Sequence, residues 1–235
     1  MAVAQTVAKF GYNNTYAGSI AASFASTPTP GNMIVFVGYG NGGGVAIGPS
    51  VADNQGNGAY TVVQGPEMSS NSRCFIAYQT ATTSSGTFTV TVSTTDAPRS
   101  MEGVLLEIPA ADVSGGLDQS VIGGIASGAY ALSTPVANAT ASAFCVSALV
   151  LQAGGNAASP ALTTAPSGYT NILDSNAAGT CEVTAAYRYA GAAAVETVTY
   201  PDYFSGDYNQ SGVLLTFKTS GGSPTSYYLS DTVEM

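Results

Sequence analysis

The chain has 235 residues with five Lys and Arg, fourteen Asp and Glu and no His, and 8% of its residues are charged against about a quarter in an ordinary soluble protein. A formal net charge of −9 excludes the basic surface on which nucleic-acid binding depends, so we expect no nucleic-acid partner. His is the side chain that most often transfers protons in enzymes, and it is also a common zinc ligand, so its absence argues against catalysis. We therefore expect no enzymatic activity, no metal and no cofactor.

The chain has enough apolar residues to bury a core. Hydrophobic residues make up 45% of it, including fourteen Tyr and eight Phe, which argues against disorder. The longest apolar runs, such as residues 33–37, have the length of a strand and are far shorter than the roughly 18 residues that cross a bilayer. The first residues show no secretory signal. We therefore expect a protein made in the cytoplasm with no membrane partner, and three free, buried thiols at Cys74, Cys145 and Cys181.

Short strands separated by turn residues are predicted along the first half of the chain. They lie near residues 4–9, 16–24, 33–39, 59–64, 73–80, 87–92 and 103–108. Residues 87–92 alternate strictly, which places Phe88, Val90 and Val92 on one face of a half-buried antiparallel strand. No window of ten or more residues has a convincing helical period.

The second half of the chain repeats the first. Residues 60–63, 76–79 and 103–108 recur as residues 169–172, 185–188 and 212–217, each time at an offset of 109. Earlier in the halves, Gln5 matches Gln119 and Tyr16 matches Tyr130 at an offset of 114. A constant offset across separated blocks is hard to obtain from composition alone, and a loop difference of five residues explains the change from 114 to 109.

The repeat is imperfect near residue 196. Residues 195–200 match the alternating strand of the first half at an offset of 108, but Glu196 then stands in the place of Phe88. This departure predicts a strand end or a wet edge. The preceding alanine-rich residues 189–194 have helical propensity but occupy a hairpin position, so we interpret them as a turn.

About a dozen short strands with this spacing predict an all-β fold, an antiparallel, jelly-roll-like β-sandwich built from two pseudo-repeats of about 110 residues. Either each half is a sandwich of immunoglobulin size, or the two halves interleave into one larger sandwich. The junction at residues 110–117 is short and unlike a linker, which favours one domain. We assign residues 1–219 to the sandwich, with pseudo-repeats 1–112 and 113–219, and residues 220–235 to a flexible linker and a C-terminal arm.

Four segments carry a resemblance to a known family. They are residues 31–37, the turn of residues 53–57 leading into Tyr60, the strand of residues 76–78, and residues 117–120 at the start of the second half. The pattern resembles jelly-roll-type β-sandwich modules of tailed-bacteriophage virion proteins, which are also seen in bacterial surface proteins. Family members often have Trp where this chain has Tyr78 or Tyr187. The resemblance implies a non-enzymatic structural or adhesive module that is located in the virion.

Two segments are candidate contact sites. Aromatic rings flanked by carboxylates can anchor a protein partner or stack on a sugar, and the segment after residue 199 concentrates both. The candidate partner- or glycan-binding residues are Tyr200, Asp202, Tyr203, Phe204, Asp207 and Tyr208. In the C-terminal arm, Tyr227, Tyr228 and Leu229 either belong to a disordered end or add a strand to a neighbouring subunit of an oligomer. Residues 53–58 have the oxygen-bearing side chains of a calcium loop but lack its bidentate acid, so we interpret them as a solvated turn.

The sequence therefore favours a virion structural protein that decorates or cements the particle, contacts other virion proteins and forms a symmetric homo-oligomer, taken as a trimer. An adhesin or carbohydrate-binding module with the segment of residues 200–208 as its platform is the alternative.

Overall fold

The structure is a computed structural model that describes residues 2–12, 17–42, 47–68, 71–96, 98, 100–114, 116–123, 130–138, 140–152, 165–177, 181–200 and 209–219. Within these ranges the chain forms fifteen strands and one four-residue helix. In the first half they are β1 (Gln5–Tyr12), β2 (Ser19–Ser23), β3 (Met33–Asn41), β4 (Pro49–Asp53), β5 (Thr61–Gln64), β6 (Ser72–Thr80), β7 (Thr89–Thr94), β8 (Ser100–Ile108) and α1 (Ala110–Val113). In the second half they are β9 (Leu117–Gly123), β10 (Tyr130–Ser133), β11 (Phe144–Gln152), β12 (Thr170–Ala177), β13 (Cys181–Tyr189), β14 (Thr197–Tyr200) and β15 (Asn209–Phe217).

The strands form four antiparallel sheets, two from each half. The first half contributes a five-stranded sheet of order β1-β8-β3-β6-β5 and a three-stranded sheet of order β2-β7-β4. The second half contributes a five-stranded sheet of order β12-β13-β11-β15-β9 and the pair β10-β14. The predicted all-β antiparallel sandwich is confirmed. Among the described strands, each sheet draws its strands from one half only.

The two halves share strand order and side-chain contacts. When β4, which has no described counterpart in the second half, is left out of the count, both five-stranded sheets have the same strand order, with the first strand of each half paired to the last. Ser23 Oγ lies 2.8 Å from Thr89 Oγ1 across β2 and β7, and the corresponding pair across β10 and β14, Ser133 and Thr197, is 2.9 Å apart. These features occur in both halves, and the pseudo-repeat itself stays a prediction from the sequence offset.

A glutamine side chain holds a backbone segment in the same way in each half. Gln5 Oε1 accepts the N–H of Ser26 at 3.1 Å, and its Nε2 donates to the Ser26 carbonyl at 3.2 Å. Gln119 makes the same two contacts with Val136, at 3.4 and 3.0 Å. Gln5 and Gln119 are the residues that the sequence aligns at an offset of 114, and both make the same pair of hydrogen bonds to a backbone segment of their own half.

The sheets stack as four layers around three apolar cores. The two five-stranded sheets face each other across a central core in which Val35, Ile76 and Leu106 of the first half meet Val146 and Leu215 of the second. The opposite face of each five-stranded sheet is covered by the smaller sheet of its own half. Strands β3 and β8 are buried along their whole length because both of their faces are covered.

The predicted strands of the first half each overlap an observed strand, and Phe88, Val90 and Val92 all point into the core of the first half. Strand β4 was missed because Pro49, Ser50 and Asp53 are poor strand formers, and its pairing with β7 decides its conformation. Residues 191–194 form bends, as the turn interpretation predicts. Glu196 stands just before β14, at a strand end, but the prediction of a wet edge is wrong, since the residue is 1% exposed.

Two of the three thiols are described, and both are buried and free, as predicted. Cys74 lies in the central core where the halves meet, with its Sγ 3.1 Å from the carbonyl oxygen of Ser211. Burial raises the pKa of Cys74 from 9.0 to about 12, because the thiolate would lose its hydration in the apolar core. Burial also raises the pKa of Cys145 above its ordinary value.

We expect Cys74 to make stability fall with rising pH. Its folded pKa lies above its unfolded pKa, so its contribution is complete below pH 9 and is lost as the pH rises toward about 12. The slope approaches about 1.4 kcal/mol per pH unit between the two pKa values. Urea unfolding of the native chain and of Cys74→Ala measures the difference, because the other titrating groups are common to both. Two stability curves that stay parallel above pH 9 would contradict this assignment.

Candidate functional sites

A buried carboxylate ties together one end of the first half. Glu107, 1% exposed on β8, accepts hydrogen bonds from Gln5 Nε2 at 2.6 Å, Thr29 N at 2.8 Å and Asn32 Nδ2 at 2.6 Å. Asn32 Oδ1 in turn accepts the N–H of Ala110, the first residue of α1, at 2.9 Å. The carboxylate thus joins β1, the segment before β3 and the start of α1. Its oxygens are occupied by donors, so we assign it a structural role.

Replacing Glu107 by Gln is expected to lower the free energy of unfolding by about 2 to 3 kcal/mol, because an amide NH2 then faces donors where an acceptor oxygen stood. Thr216, at the same position of the second half, supplies a matched control. Its buried hydroxyl has no hydrogen-bond partner among the described residues, so Thr216→Val should be neutral or stabilising. Chemical unfolding of both variants measures the effect, and equal stability would refute the role of Glu107.

The turn of residues 53–58 is organised by its own side chains. Asp53 Oδ1 accepts the N–H of Gln55 at 2.9 Å, while Oδ2 accepts from Asn57 Nδ2 at 3.1 Å and from the Tyr60 hydroxyl at 3.3 Å. Asn57 also exchanges hydrogen bonds with the backbone of Thr83, at 2.9 and 2.6 Å, and so fixes the turn to the loop before β7. Both Asp53 oxygens already face donors, which agrees with a structural turn.

The second half contains an ion pair between a buried carboxylate, Glu196, and a partly exposed guanidinium, Arg188. Glu196 Oε2 accepts from Arg188 Nη2 at 2.7 Å, and Oε1 accepts from the hydroxyl of Tyr169. The backbone N–H of Glu196 donates to Thr134 Oγ1 at 2.9 Å. The Arg188 guanidinium also lies 5.0 Å from the centre of the Tyr169 ring, a cation–π distance.

The electrostatics of this cluster hold Arg188 and Tyr169 each in one protonation state. The hydrogen bond to Glu196 raises the pKa of the Arg188 guanidinium, which therefore stays charged. Burial, followed by the bond to the Glu196 carboxylate, raises the pKa of Tyr169 well above its ordinary value, so the phenol stays neutral and remains a donor. Arg188 on β13 and Tyr169 before β12 both donate to the Glu196 carboxylate, and these hydrogen bonds connect the two elements to the start of β14.

A groove of about 350 Å³ opens where the two halves join. Its apolar walls come from Met33 and Tyr78 of the first half, from Val113 of α1, and from Leu117 and Phe217 of the second half. The Tyr78 and Phe217 rings meet edge to face with centroids 5.0 Å apart. The volume is at the lower end of the roughly 300–1,000 Å³ that ligand clefts span, so the groove suits a few side chains or a small molecule.

The structure describes one of the predicted contact residues. Tyr200, the last residue of β14, is 2% exposed and lies in the core of the second half, with its hydroxyl 2.8 Å from Ser147 Oγ. A packed, hydrogen-bonded side chain is not a surface contact, and Tyr200 instead contributes to the core of the second half. Asp202, Tyr203, Phe204, Asp207 and Tyr208 lie outside the described residues, as do Tyr227, Tyr228 and Leu229 of the arm.

The roles of Glu107 and Arg188 and the junction groove were not predicted from the sequence. The sequence did contain a signal for Arg188. Glu196 replaces an apolar residue of the first half, and an acid at such a position needs a cationic partner, of which the chain has only five. The partners of Glu107 are up to 102 residues away along the chain, and no local pattern joins them.

No protein-family model, no curated protein and no solved structure matches the chain. In the described part of the chain, no helix has the length and apolar character to span a bilayer. Nor do three or more Cys, Asp or Glu residues come together there in a group that could hold a metal ion.

Proposed function

We propose that the chain is a non-enzymatic structural protein of a tailed-bacteriophage virion that decorates or cements the particle surface as a homo-oligomer. The observation that carries the proposal is the all-β architecture, with two antiparallel sandwiches that share a central core. This is the fold class that the resemblance to virion modules implies.

The internal ties of the molecule support a structural role. Glu107, Asp53 and Glu196 each join separate segments through several hydrogen bonds. These hydrogen bonds make the ends of the sandwiches resist local opening, because a segment cannot leave without breaking its bonds to a buried or partly buried carboxylate. A rigid, negatively charged body suits a protein that must stay soluble before it assembles.

An asymmetry between the halves supports self-association. Val136 and Val195 are 61% and 51% exposed and lie on neighbouring segments, which are joined by the hydrogen bonds Thr134 N to Glu196 O and Asn138 N to Ala194 O. The position of Val136 is taken in the first half by Ser26, as the glutamine contacts show. The fold therefore does not require an apolar residue there, and in this proposal Val136 and Val195 contribute to the surface that contacts a neighbouring subunit.

Light scattering at micromolar concentration tests the oligomer. We expect an oligomer for the native chain and a shift toward monomer for Val136→Ser with Val195→Thr, which introduces the residue types of the first half. Thr197→Ala, an exposed change on the adjacent strand, is the control. A native chain that stays monomeric with or without capsids would count against the proposal.

The copy number of the chain in purified virions tests its location. Hundreds of copies per particle are expected of a protein that covers a capsid, while a few copies indicate a fibre or receptor-binding tip. Quantitative mass spectrometry of the particles measures this ratio, and absence from the particles would overturn the proposal.

An adhesin is the second candidate. Tyr200 anchors the start of the aromatic segment in the core, which would give a binding loop a fixed base. If the adhesin assignment is right, Tyr203→Ala with Phe204→Ala abolishes binding to glycans or host cells, while Thr197→Ala leaves it intact. Unchanged binding by the double variant rejects this candidate.

A further inference from the structure

We infer that the junction groove binds a small molecule with one aromatic ring, at a position whose counterpart in the second half holds the ring of Tyr189. The inference goes beyond the proposed function and does not depend on it. It is carried by the difference between the five-stranded sheets of the two halves at the end where the groove lies.

Each five-stranded sheet ends in a row of three residues that pair across its central strands. In the first half the row on β6, β3 and β8 is Thr80, Met33 and Ile108. In the second half the row on β13, β11 and β15 is Tyr189, Phe144 and Phe217. The two sheets have the same register here, so the end row is aromatic in the second half and carries no ring in the first.

Tyr189 shows what this position of the row can hold. Its ring is partly buried, packs against the central core and lies 5.4 Å from the Phe144 ring, centre to centre. Its hydroxyl donates to Asp112 Oδ2 on α1 at 3.1 Å. An aromatic ring at the end of this sheet is thus accommodated between the central core and α1.

Thr80 leaves the same position of the first half without a ring. Thr80 is exposed, and together with Met33 it lines the groove. One pair further along the sheets, both halves have a tyrosine, Tyr78 opposite Val35 and Tyr187 opposite Val146. The difference is therefore confined to the end row, and the open space of the first half corresponds to a ring of the second.

The walls of the groove suit an aromatic guest. Tyr78 and Phe217, whose rings meet edge to face, both line it, and ring pairs contribute binding energy beyond the area that they bury. Met33 adds a flexible, polarisable side chain that adapts its shape to a ring. Gln79 and Ser114 supply polar groups for a substituent on the ring. A volume of about 350 Å³, at the lower end of the range for ligand clefts, favours a small molecule.

Methyl NMR with p-cresol, which is the side chain of tyrosine without its backbone, tests the inference. The methyl signals of Met33, Val113 and Leu117 report on the groove, and that of Leu132, in the core of the second half, reports on the rest of the fold. We expect the three groove signals to shift and saturate with a Kd of about a millimolar, the affinity of so small a ligand, while Leu132 stays in place. 4-Methylcyclohexanol, which has a hydroxyl group but no aromatic ring, should bind about threefold more weakly or worse.

Two variants locate the binding site. Thr80→Tyr gives the first half the residue of the second, so it is expected to fill the groove and abolish the saturable shifts. Thr197→Tyr, at an exposed position of β14 that does not line the groove, is the matched control and should bind p-cresol like the native chain. The Leu132 signal shows that each variant is folded. Undiminished binding by Thr80→Tyr would overturn the inference, as would equal binding of the two probes or groove signals that never saturate.

Light scattering separates a small ligand from an aromatic side chain of a neighbouring subunit. Thr80→Tyr is expected to have the same molar mass in solution as the native chain, whether that chain is a monomer or an oligomer. The result is therefore distinct from the failure of the proposed function. A lower mass for Thr80→Tyr would show that the groove holds a side chain of a neighbouring subunit, and the inference would then be wrong.

Discussion

Gly103→Ala is expected to lower the free energy of unfolding by about 3 kcal/mol. A Cβ at this position would lie 2.3 Å from Cζ of Phe36 and 2.7 Å from the carbonyl oxygen of Val37. Gly103 on β8 faces Gly38 on β3, and the Phe36 ring lies over this glycine pair in the core of the first half. The ring is fully buried, so a new methyl group must displace both a packed side chain and backbone.

Two further variants make this result specific. Gly18→Ala is the control, since a Cβ there meets nothing within 4 Å, and its stability should stay within about 0.5 kcal/mol of the native chain. Adding Phe36→Leu to Gly103→Ala should recover part of the loss by removing the ring contact, but the contact with the Val37 carbonyl remains. Chemical unfolding measures all three, and a Gly103 variant as stable as the Gly18 control would refute the packing argument.

Arg188→Met is expected to destabilise the chain by about 3 kcal/mol, because it leaves the Glu196 carboxylate buried without its cation. Glu196→Leu should cost less, since the Arg188 side chain is 31% exposed and its charge can reach water. The double variant should be more stable than Arg188→Met, because it removes the stranded charge. It should still be less stable than the native chain by about 1 kcal/mol, since the Tyr169 hydroxyl loses its acceptor.

The unfolding free energies of the native chain, the two single variants and the double variant form a double-mutant cycle, which gives the coupling energy between Arg188 and Glu196. Unfolding free energies that add without coupling would show that the pair contributes nothing beyond its separate side chains.

Local sequence patterns predicted those parts of the fold that depend on nearest neighbours. The alternation around Val90 and Val92 predicted both the strand and the face that is buried. The offset between Gln5 and Gln119 identified two residues that make the same contacts. What the sequence could not supply was the partner of each face. Strand β4 and the four-layer stacking depend on contacts between distant segments, which leave no periodic signal in the chain.

For the candidate sites too, the sequence shows which residues are polar or aromatic but not which of them are buried. Tyr200 has an aromatic, acidic neighbourhood along the chain, but β14 carries it into the core opposite Ser147. Glu196 replaces Phe88, which predicted a strand end or a wet edge, and its burial becomes possible only through Arg188 and Tyr169, which other segments bring to it. Composition identifies polar residues, whereas their burial depends on whether the fold brings them partners.

The pairing of the first strand of each half with its last constrains how the protein is made. Gln5 on β1 is separated by 102 residues from Glu107 on β8, so the first strand leaves the ribosome long before its partner is synthesised. Contacts so distant along the chain fold slowly, in about milliseconds to seconds. Even after β8 emerges, the inner face of the first sheet stays uncovered until the second half, through Phe217, has been translated and packed against it. At this stage of translation the nascent chain exposes the apolar face of its first sheet and is most prone to aggregation.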